Sequence, residues 1–248
     1  MISVFPVDKY PVLVISIALA ANGNSSYRDA LAISKLTKSK WGARSVILTD
    51  SPYKFPYPVS ETKNKSEFIK KLKSVVSTSN ENCILFTLSS HGYSTVIPER
   101  MKKELNGRSE FIKVGSDRIL DYELFEAFYG CMNNKVQSFC LIDTCHSGTM
   151  LDLEYLSTDG KKFIRSKTEL KSRPRSVCIS ACADDELAGE DVSDYAGWGG
   201  KLTCQFVDFL DRSNNGIIDI SKFYHQVRST FDSQRLQKSH PIISYNTL

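Results

Sequence analysis

Apolar residues along this chain follow two alternating periods. Short runs rich in Val, Ile, Leu and Phe occupy 12–18, 45–48 and 176–180. Two longer runs read Cys83-Ile84-Leu85-Phe86-Thr87-Leu88 and Val136-Gln137-Ser138-Phe139-Cys140-Leu141-Ile142. Runs of about five to eight such residues, bounded by Gly and polar clusters, predict buried strands. Between them the spacing changes. Ala30, Leu31, Ile33 and Leu36 within 27–40, and Phe68, Ile69, Leu72, Val75 and Val76 within 66–76, recur at three- and four-residue steps. That spacing predicts amphipathic helices, and further helices are predicted over 121–129, 201–210 and 221–231. Strands alternating with helices imply an α/β fold whose mostly parallel sheet is covered on both faces. The stretch from 91 to 121 reads as a long polar excursion, and no internal repeat or low-complexity segment interrupts the pattern.

Both longer runs stop at a reactive side chain, His91 in Ser89-Ser90-His91-Gly92 and Cys145 in Asp143-Thr144-Cys145-His146-Ser147-Gly148. In an open parallel sheet, ligands gather outside the carboxyl ends of the strands. Either residue alone is unremarkable, since strand-end histidines and buried cysteines are usually structural. Together they suggest a thiolate with its acid–base partner. Gly92 permits close backbone approach, and its N–H suits an oxyanion. His146 is a poorer base than His91, because successive strand-end side chains point in opposite directions.

Composition narrows the alternatives. A chain of 248 residues, 41% hydrophobic and 24% charged, is ordinary for a soluble protein and long enough for a sizeable core. A net charge of +4 without an arginine-rich, aromatic-laced stripe argues against nucleic acid. The apolar run at 11–21 is short for a bilayer span, and Asp8 and Lys9 precede it. It therefore reads as a core strand rather than a signal peptide, and no membrane association and a cytoplasmic location are expected. Seven cysteines, mostly inside apolar runs (Cys83, Cys140, Cys178, Cys204) and without a CxxC pair, read as reduced thiols. Four scattered histidines give no zinc pattern.

The two motifs, with Leu151-Asp152-Leu153 after the second, resemble the metacaspases, the caspase-related cysteine peptidases. Ser180-Ala181-Cys182-Ala183-Asp184-Asp185-Glu186-Leu187-Ala188 resembles the start of that family's small-subunit region, and His240-Pro241-Ile242-Ile243-Ser244 its closing strand. The separation of His91 from Cys145 fits the caspase type, although the Gln-Ala-Cys signature of aspartate-directed caspases is absent. The resemblance implies a caspase-like three-layer sandwich. It would be one catalytic domain over 1–248, with a large-subunit-like part (1–157), a basic linker (158–175) and a small-subunit-like part (176–248), leaving no room for an N-terminal prodomain. It further implies a monomeric endopeptidase acting on protein or peptide substrates. Cys145 would be the nucleophile, His91 its acid–base partner, and the Gly92 and Cys145 amides the oxyanion donors. Asp143, on the thiol's side of its strand, is placed with Ser89 and Asp29 in the pocket for the residue before the cut. Carboxylates there select Arg or Lys.

The linker holds Lys161, Lys162, Arg165, Lys167, Lys171, Arg173 and Arg175, so a basic-directed peptidase would have sites for cutting itself. Calcium is the one cofactor implied, through Asp152, Asp121 and Glu110, although Tyr122 replaces a second family aspartate. Asp211-Arg212-Ser213-Asn214-Asn215-Gly216-Ile217-Ile218-Asp219 opens like an EF-hand loop, but Lys222 stands where a glutamate is required, so a helix-connecting turn fits better. Two rivals stay open: a catalytically inactive scaffold or decoy that binds partners, and a legumain-like or separase-like peptidase.

Overall fold

The computed structural model describes residues 4–5, 7, 11–19, 24–52, 54–96, 108–165, 174–193, 195, 197–213, 217–233 and 239–246. The chain runs β1 (Val4–Phe5), β2 (Val12–Ala18), α1 (Asn24–Trp41), β3 (Arg44–Thr49), β4 (Val59–Glu61), α2 (Lys65–Ser77) and β5 (Cys83–Ser89). It continues through β6 (Gly92–Val96), β7 (Arg108–Val114), β8 (Asp117–Leu120), α3 (Asp121–Tyr129), β9 (Gln137–Asp143), β10 (Tyr155–Ser157) and β11 (Ile164–Arg165). The remainder is β12 (Arg175–Ser180), β13 (Glu190–Ser193), β14 (Gly197–Gly200), α4 (Lys201–Arg212), β15 (Ile218–Asp219), α5 (Ile220–Ser233) and β16 (Ile242–Asn246).

Nine strands form the central sheet in the order β11-β10-β16-β12-β9-β5-β2-β3-β4. Every pair from β12 to β4 is parallel, and β16, β10 and β11 add on antiparallel. Side chains of β2 alternate between two cores. Leu13, Ile15 and Ile17 pack on one face with Phe68 and Leu72 of α2 and Phe125 and Phe128 of α3. Val12 and Val14 pack on the other with Ile33 and Leu36 of α1, Phe206 and Leu210 of α4, and Phe223 of α5. A strand buried on both faces reads as a continuous apolar run, which is why these strands were legible. The expected three-layer α/β sandwich is what the chain forms.

Three segments differ from expectation. The stretch after His91 is not irregular: β6, β7 and β8 form an antiparallel sheet. Glu190–Ser193 and Gly197–Gly200, where the sequence predicted no element, pair antiparallel as β13 and β14, with Val192 opposite Trp198. The basic linker begins as structure, with β11 pairing with β10 and Arg165 bonding Glu154 at 2.9 Å. Phe163 packs edge-on against Tyr245 of β16, and Asp159 Oδ1 accepts the N–H groups of Lys161 and Lys162, each at 2.8 Å. Lys167, Lys171 and Arg173 lie outside the described residues, as do Asn214, Asn215 and Gly216 of the EF-hand-like stretch. Asp219, from that stretch, accepts Lys222 N–H at 2.9 Å at the start of α5, consistent with a helix-connecting turn. All seven cysteines are free. Among the described residues no helix is long and apolar enough to cross a membrane.

Candidate active site

β5 and β9 are adjacent and parallel, in a register that sets Ser89 opposite Asp143. Two residues beyond that pair each strand delivers its reactive side chain, and His91 and Cys145 line one cleft of about 380 Å³. The hydroxyl preceding each fixes the local backbone: Ser90 Oγ donates to the His91 carbonyl at 3.0 Å and Thr144 Oγ1 to the Cys145 carbonyl at 3.1 Å. A Cβ on Gly92 would overlap the Cys145 carbonyl. The glycine is therefore needed for the two strand-end loops to pack, a reason separate from substrate access. The His91 ring lies 6.4 Å from Tyr93, which stacks on its cross-strand neighbour Phe111 at 5.1 Å. The β6–β7 ladder thus sets a stacked aromatic pair near the histidine.

His146 turns elsewhere. Its φ of 54° is in the left-handed region, unusual for a side chain of this size. Its N–H donates to the Glu186 carbonyl at 3.1 Å, and Nδ1 lies 2.6 Å from the Asp184 carbonyl, which makes Nδ1 the protonated nitrogen. The imidazole lines a neighbouring cavity of about 580 Å³ instead of the cleft holding Cys145.

The cleft floor is acidic. Asp143 lines it, and Asp29, from α1, is buried behind Ser89, whose Oγ donates to Asp29 Oδ2 at 2.6 Å. Gly200 N–H reaches both Asp29 oxygens at 3.2 Å. Asp143 Oδ2 accepts Thr203 N–H at 2.8 Å, so this carboxylate caps the first turn of α4 from another element. A Cβ on Gly199 would overlap the Asp29 carboxyl, and one on Gly200 the Asp143 carboxyl. Burial, with the charge of Asp143 adding to it, pushes Asp29 up to about 8 against the opposing hydrogen bonds from Ser89 and Gly200. Burial also pushes Asp143 up to about 6, opposed chiefly by Thr203 N–H. Such a pair resists double ionisation unless a cation joins it. The buried Cys204 thiol is pushed far up by burial and by these carboxylates, which keeps it protonated and inert.

Two further lining residues escaped the sequence reading. Glu190 and Trp198, from the β13–β14 hairpin, face the same cleft, and Trp198 Nε1–H donates to Glu190 Oε2 at 3.0 Å. The signal available was Gly197-Trp198-Gly199-Gly200, a lone aromatic among glycines directly before an amphipathic helix, which marks close backbone approach.

The residues implied as calcium ligands sit apart from this cleft. Asp121 accepts Ser109 Oγ–H at 2.7 Å, Tyr122 N–H at 2.7 Å and Glu110 N–H at 3.2 Å. Thr149 Oγ1 lies 3.1 Å from Glu110 Oε2 and 2.9 Å from Asp184 Oδ2, while Thr149 N–H donates to Asp184 Oδ1 at 2.8 Å. Burial raises the pKa of Asp184, with the charge of Asp121 a lesser cause. Asp152 is buried at φ 49°, its N–H donating to the Thr149 carbonyl at 2.7 Å. Among the described residues no group of three or more His, Cys, Asp or Glu side chains is placed to hold a metal ion. As arranged, the carboxylates do not fit a calcium shell of six to eight oxygens.

Comparison with known proteins adds three findings. A family model described as metacaspase, peptidase C14 domain, matches residues 12–154. The chain is 33% identical over 89 residues to Metacaspase-3 of Trypanosoma cruzi (strain CL Brener), a stretch covering 33% of this chain and 25% of that protein. It thus spans about a quarter of that relative's length. Its fold is similar to the crystal structure of protein GSU0716 from Geobacter sulfurreducens, with a TM-score of 0.62 at 17% identity, covering 96% of this chain and 94% of that one.

Proposed function

The chain belongs to the metacaspase, peptidase C14 domain family, and from that premise we propose that it is a cysteine endopeptidase cutting polypeptides after arginine or lysine. One juxtaposition carries the reading. The cleft that holds Cys145 and His91 has Ser89 and Asp143 in its floor, with Asp29 bonded behind Ser89.

In the proposed reaction Cys145 Sγ attacks the scissile carbonyl carbon, its proton having passed to His91. The Gly92 and Cys145 amides hold the resulting oxyanion. His91 then gives the proton to the leaving nitrogen as the C–N bond breaks, which frees the new amino terminus and leaves a thioester. Water, deprotonated by His91, displaces the thiol, releases the carboxyl product and restores both residues. A guanidinium or ammonium on the preceding side chain meets the acidic floor, where an aspartate would be repelled. No step passes through calcium.

Self-cutting of the linker extends the same proposal. Lys161 and Lys162 are tied into the Asp159 turn and Arg165 is paired with Glu154. With Arg175 taken up as the first residue of β12, Lys167, Lys171 and Arg173 remain as candidate sites. A monomer is consistent with β10 occupying the outer edge of β16.

The test is hydrolysis of fluorogenic peptides carrying Arg, Lys or Asp before the cut. Wild type is expected to release fluorophore after Arg and Lys only, with Cys145→Ala at least about a thousandfold slower. A wild type as inactive as Cys145→Ala would make the chain a scaffold instead. Preference for Asp would overturn the pocket assignment.

A further inference from the structure

We propose that Glu190, fixed by Trp198, is a specificity-determining carboxylate on the solvent side of the basic-residue pocket. The inference rests on the reading above and adds a residue to it. Glu190 lines the cleft together with Ser89, Asp143 and Cys145. In the β13–β14 ladder it pairs with Gly200, the residue whose N–H serves Asp29. Hairpin register therefore ties the position of Glu190 to the floor of the pocket. Its side chain is not left to wander in solvent, because Trp198 Nε1–H holds Oε2 at 3.0 Å.

Electrostatics gives this placement a purpose. Asp29 and Asp143 are both buried, and burial opposes ionising the pair. A floor of that kind gives up a proton as it takes up a cation. The charge of Glu190 is close enough to act on both floor carboxyls, yet its own position is exposed, so its charge carries little desolvation cost. A guanidinium seated on the floor still has outward N–H groups, five donors being more than one carboxylate can accept. Glu190 accepts from that outward face. An ammonium on a shorter, rounder head has less to offer it, so the residue favours Arg over Lys. Trp198 is then a positioning residue, acting through the carboxylate that it holds.

The experiment measures binding, by titration calorimetry, of two peptides to the Cys145→Ala protein. The peptides differ only in ending with arginine or with its uncharged isostere citrulline. In the Cys145→Ala/Glu190→Gln protein, affinity for the arginine peptide is expected to fall five- to tenfold and affinity for the citrulline peptide to stay within twofold. Trp198→Phe, which keeps the ring but removes the N–H donor, should give about half of that loss on a logarithmic scale. Equal losses for both peptides would mark Glu190 as merely structural and overturn the proposal. An unchanged arginine affinity would overturn it as well, while leaving the pocket floor intact. Failure of the endopeptidase reading is recognised separately, by a wild type that hydrolyses neither Arg nor Lys substrates. A Glu190-dependent arginine affinity would support the inference even then. Circular dichroism melts of each variant exclude unfolding as the cause of a loss.

Discussion

The chain buries two pairs of carboxylates, Asp29 with Asp143 and Asp121 with Glu110, and the two are finished in opposite ways. Asp29 and Asp143 take donors from Ser89, Gly200 and Thr203, and of these groups Ser89, Gly200 and Asp143 still line an open cleft. Asp121 and Glu110 are closed in by the chain's own Ser109, Tyr122 and Thr149 donors, while Asp184, half-buried, bonds Thr149 and lines the neighbouring cavity. Both clusters bury carboxylates at real cost. Burial alone therefore does not make a cation site. What separates them is whether the chain completes the hydrogen bonding itself or leaves a face for something else.

Asp143→Asn tests that contrast most severely. Removing one member of a buried charge pair costs a ligand about 2–5 kcal/mol. The specificity constant for arginine peptides is therefore expected to fall about a hundredfold or more, while hydrolysis after an uncharged residue changes little. The melting temperature should hold or rise, because the variant relieves a buried carboxylate pair. A drop below tenfold in steady-state assays would remove Asp143 from the pocket.

The pH dependence gives a second, smaller effect. Folded Asp29 keeps its proton up to about pH 8, whereas an unperturbed aspartate releases it near 3.8. Between those values the folded chain binds the extra proton, so this group's contribution to stability is greatest at the acid end and declines as pH rises toward 8. Asp143 acts the same way between 3.8 and about 6. A bound guanidinium favours the ionised forms, so arginine-peptide affinity should climb across pH 6–8, by up to about tenfold per unit for one released proton. Chemical denaturation and calorimetry at stepped pH check both trends. Asp29→Asn should flatten them, and identical slopes in the variant would refute the assignment.

For the closed cluster the expectation reverses. Asp121→Asn leaves donors facing a weaker acceptor, at a cost of about 1–3 kcal/mol, or a fall of several degrees in melting temperature for a chain this long. Its specificity constant should stay within about threefold of wild type. A catalytic loss as large as that of Asp143→Asn would mean that the two clusters are not distinct in role.

The uneven legibility of the site has the same physical origin. His91 and Cys145 stood out because β5 and β9 are buried on both faces, so their apolar runs end abruptly where chemistry begins. Asp143 followed from the two-residue period of its strand. Glu190 and Trp198 left no such trace, since Val192 and Trp198, paired across their hairpin, are 61% and 49% exposed and give no apolar alternation. The β6–β8 sheet was hidden for a related reason: Glu110 is a fully buried carboxyl inside a strand, which breaks the pattern that marks strands elsewhere. Asp184 lies within the Ser180–Ala188 motif, but its bonds to Thr149 join residues 35 positions apart and cannot be read from local spacing.

Calcium supplies the finest test of the comparison, because the predicted effect is close to nothing. A calcium shell needs six to eight oxygens converging at about 2.3–2.6 Å. Glu110, Asp121 and Asp184 instead spend oxygens on the hydroxyl and amide donors around them, and Tyr122 is 42% exposed where a further carboxylate would be wanted. To bind the ion, the chain would have to break several of those bonds at about 0.5–1.5 kcal/mol each. Millimolar calcium should therefore shift the melting temperature by less than about 1 °C, and chelator should leave arginine-peptide hydrolysis within about twofold. Thr149→Val removes the hydroxyl that lies between Glu110 and Asp184 and frees oxygens on both. If any variant gains calcium-dependent stability it should be this one. Strong activation of the wild type by calcium would show instead that the cluster opens readily, and that its closed hydrogen bonding is a resting state rather than its purpose.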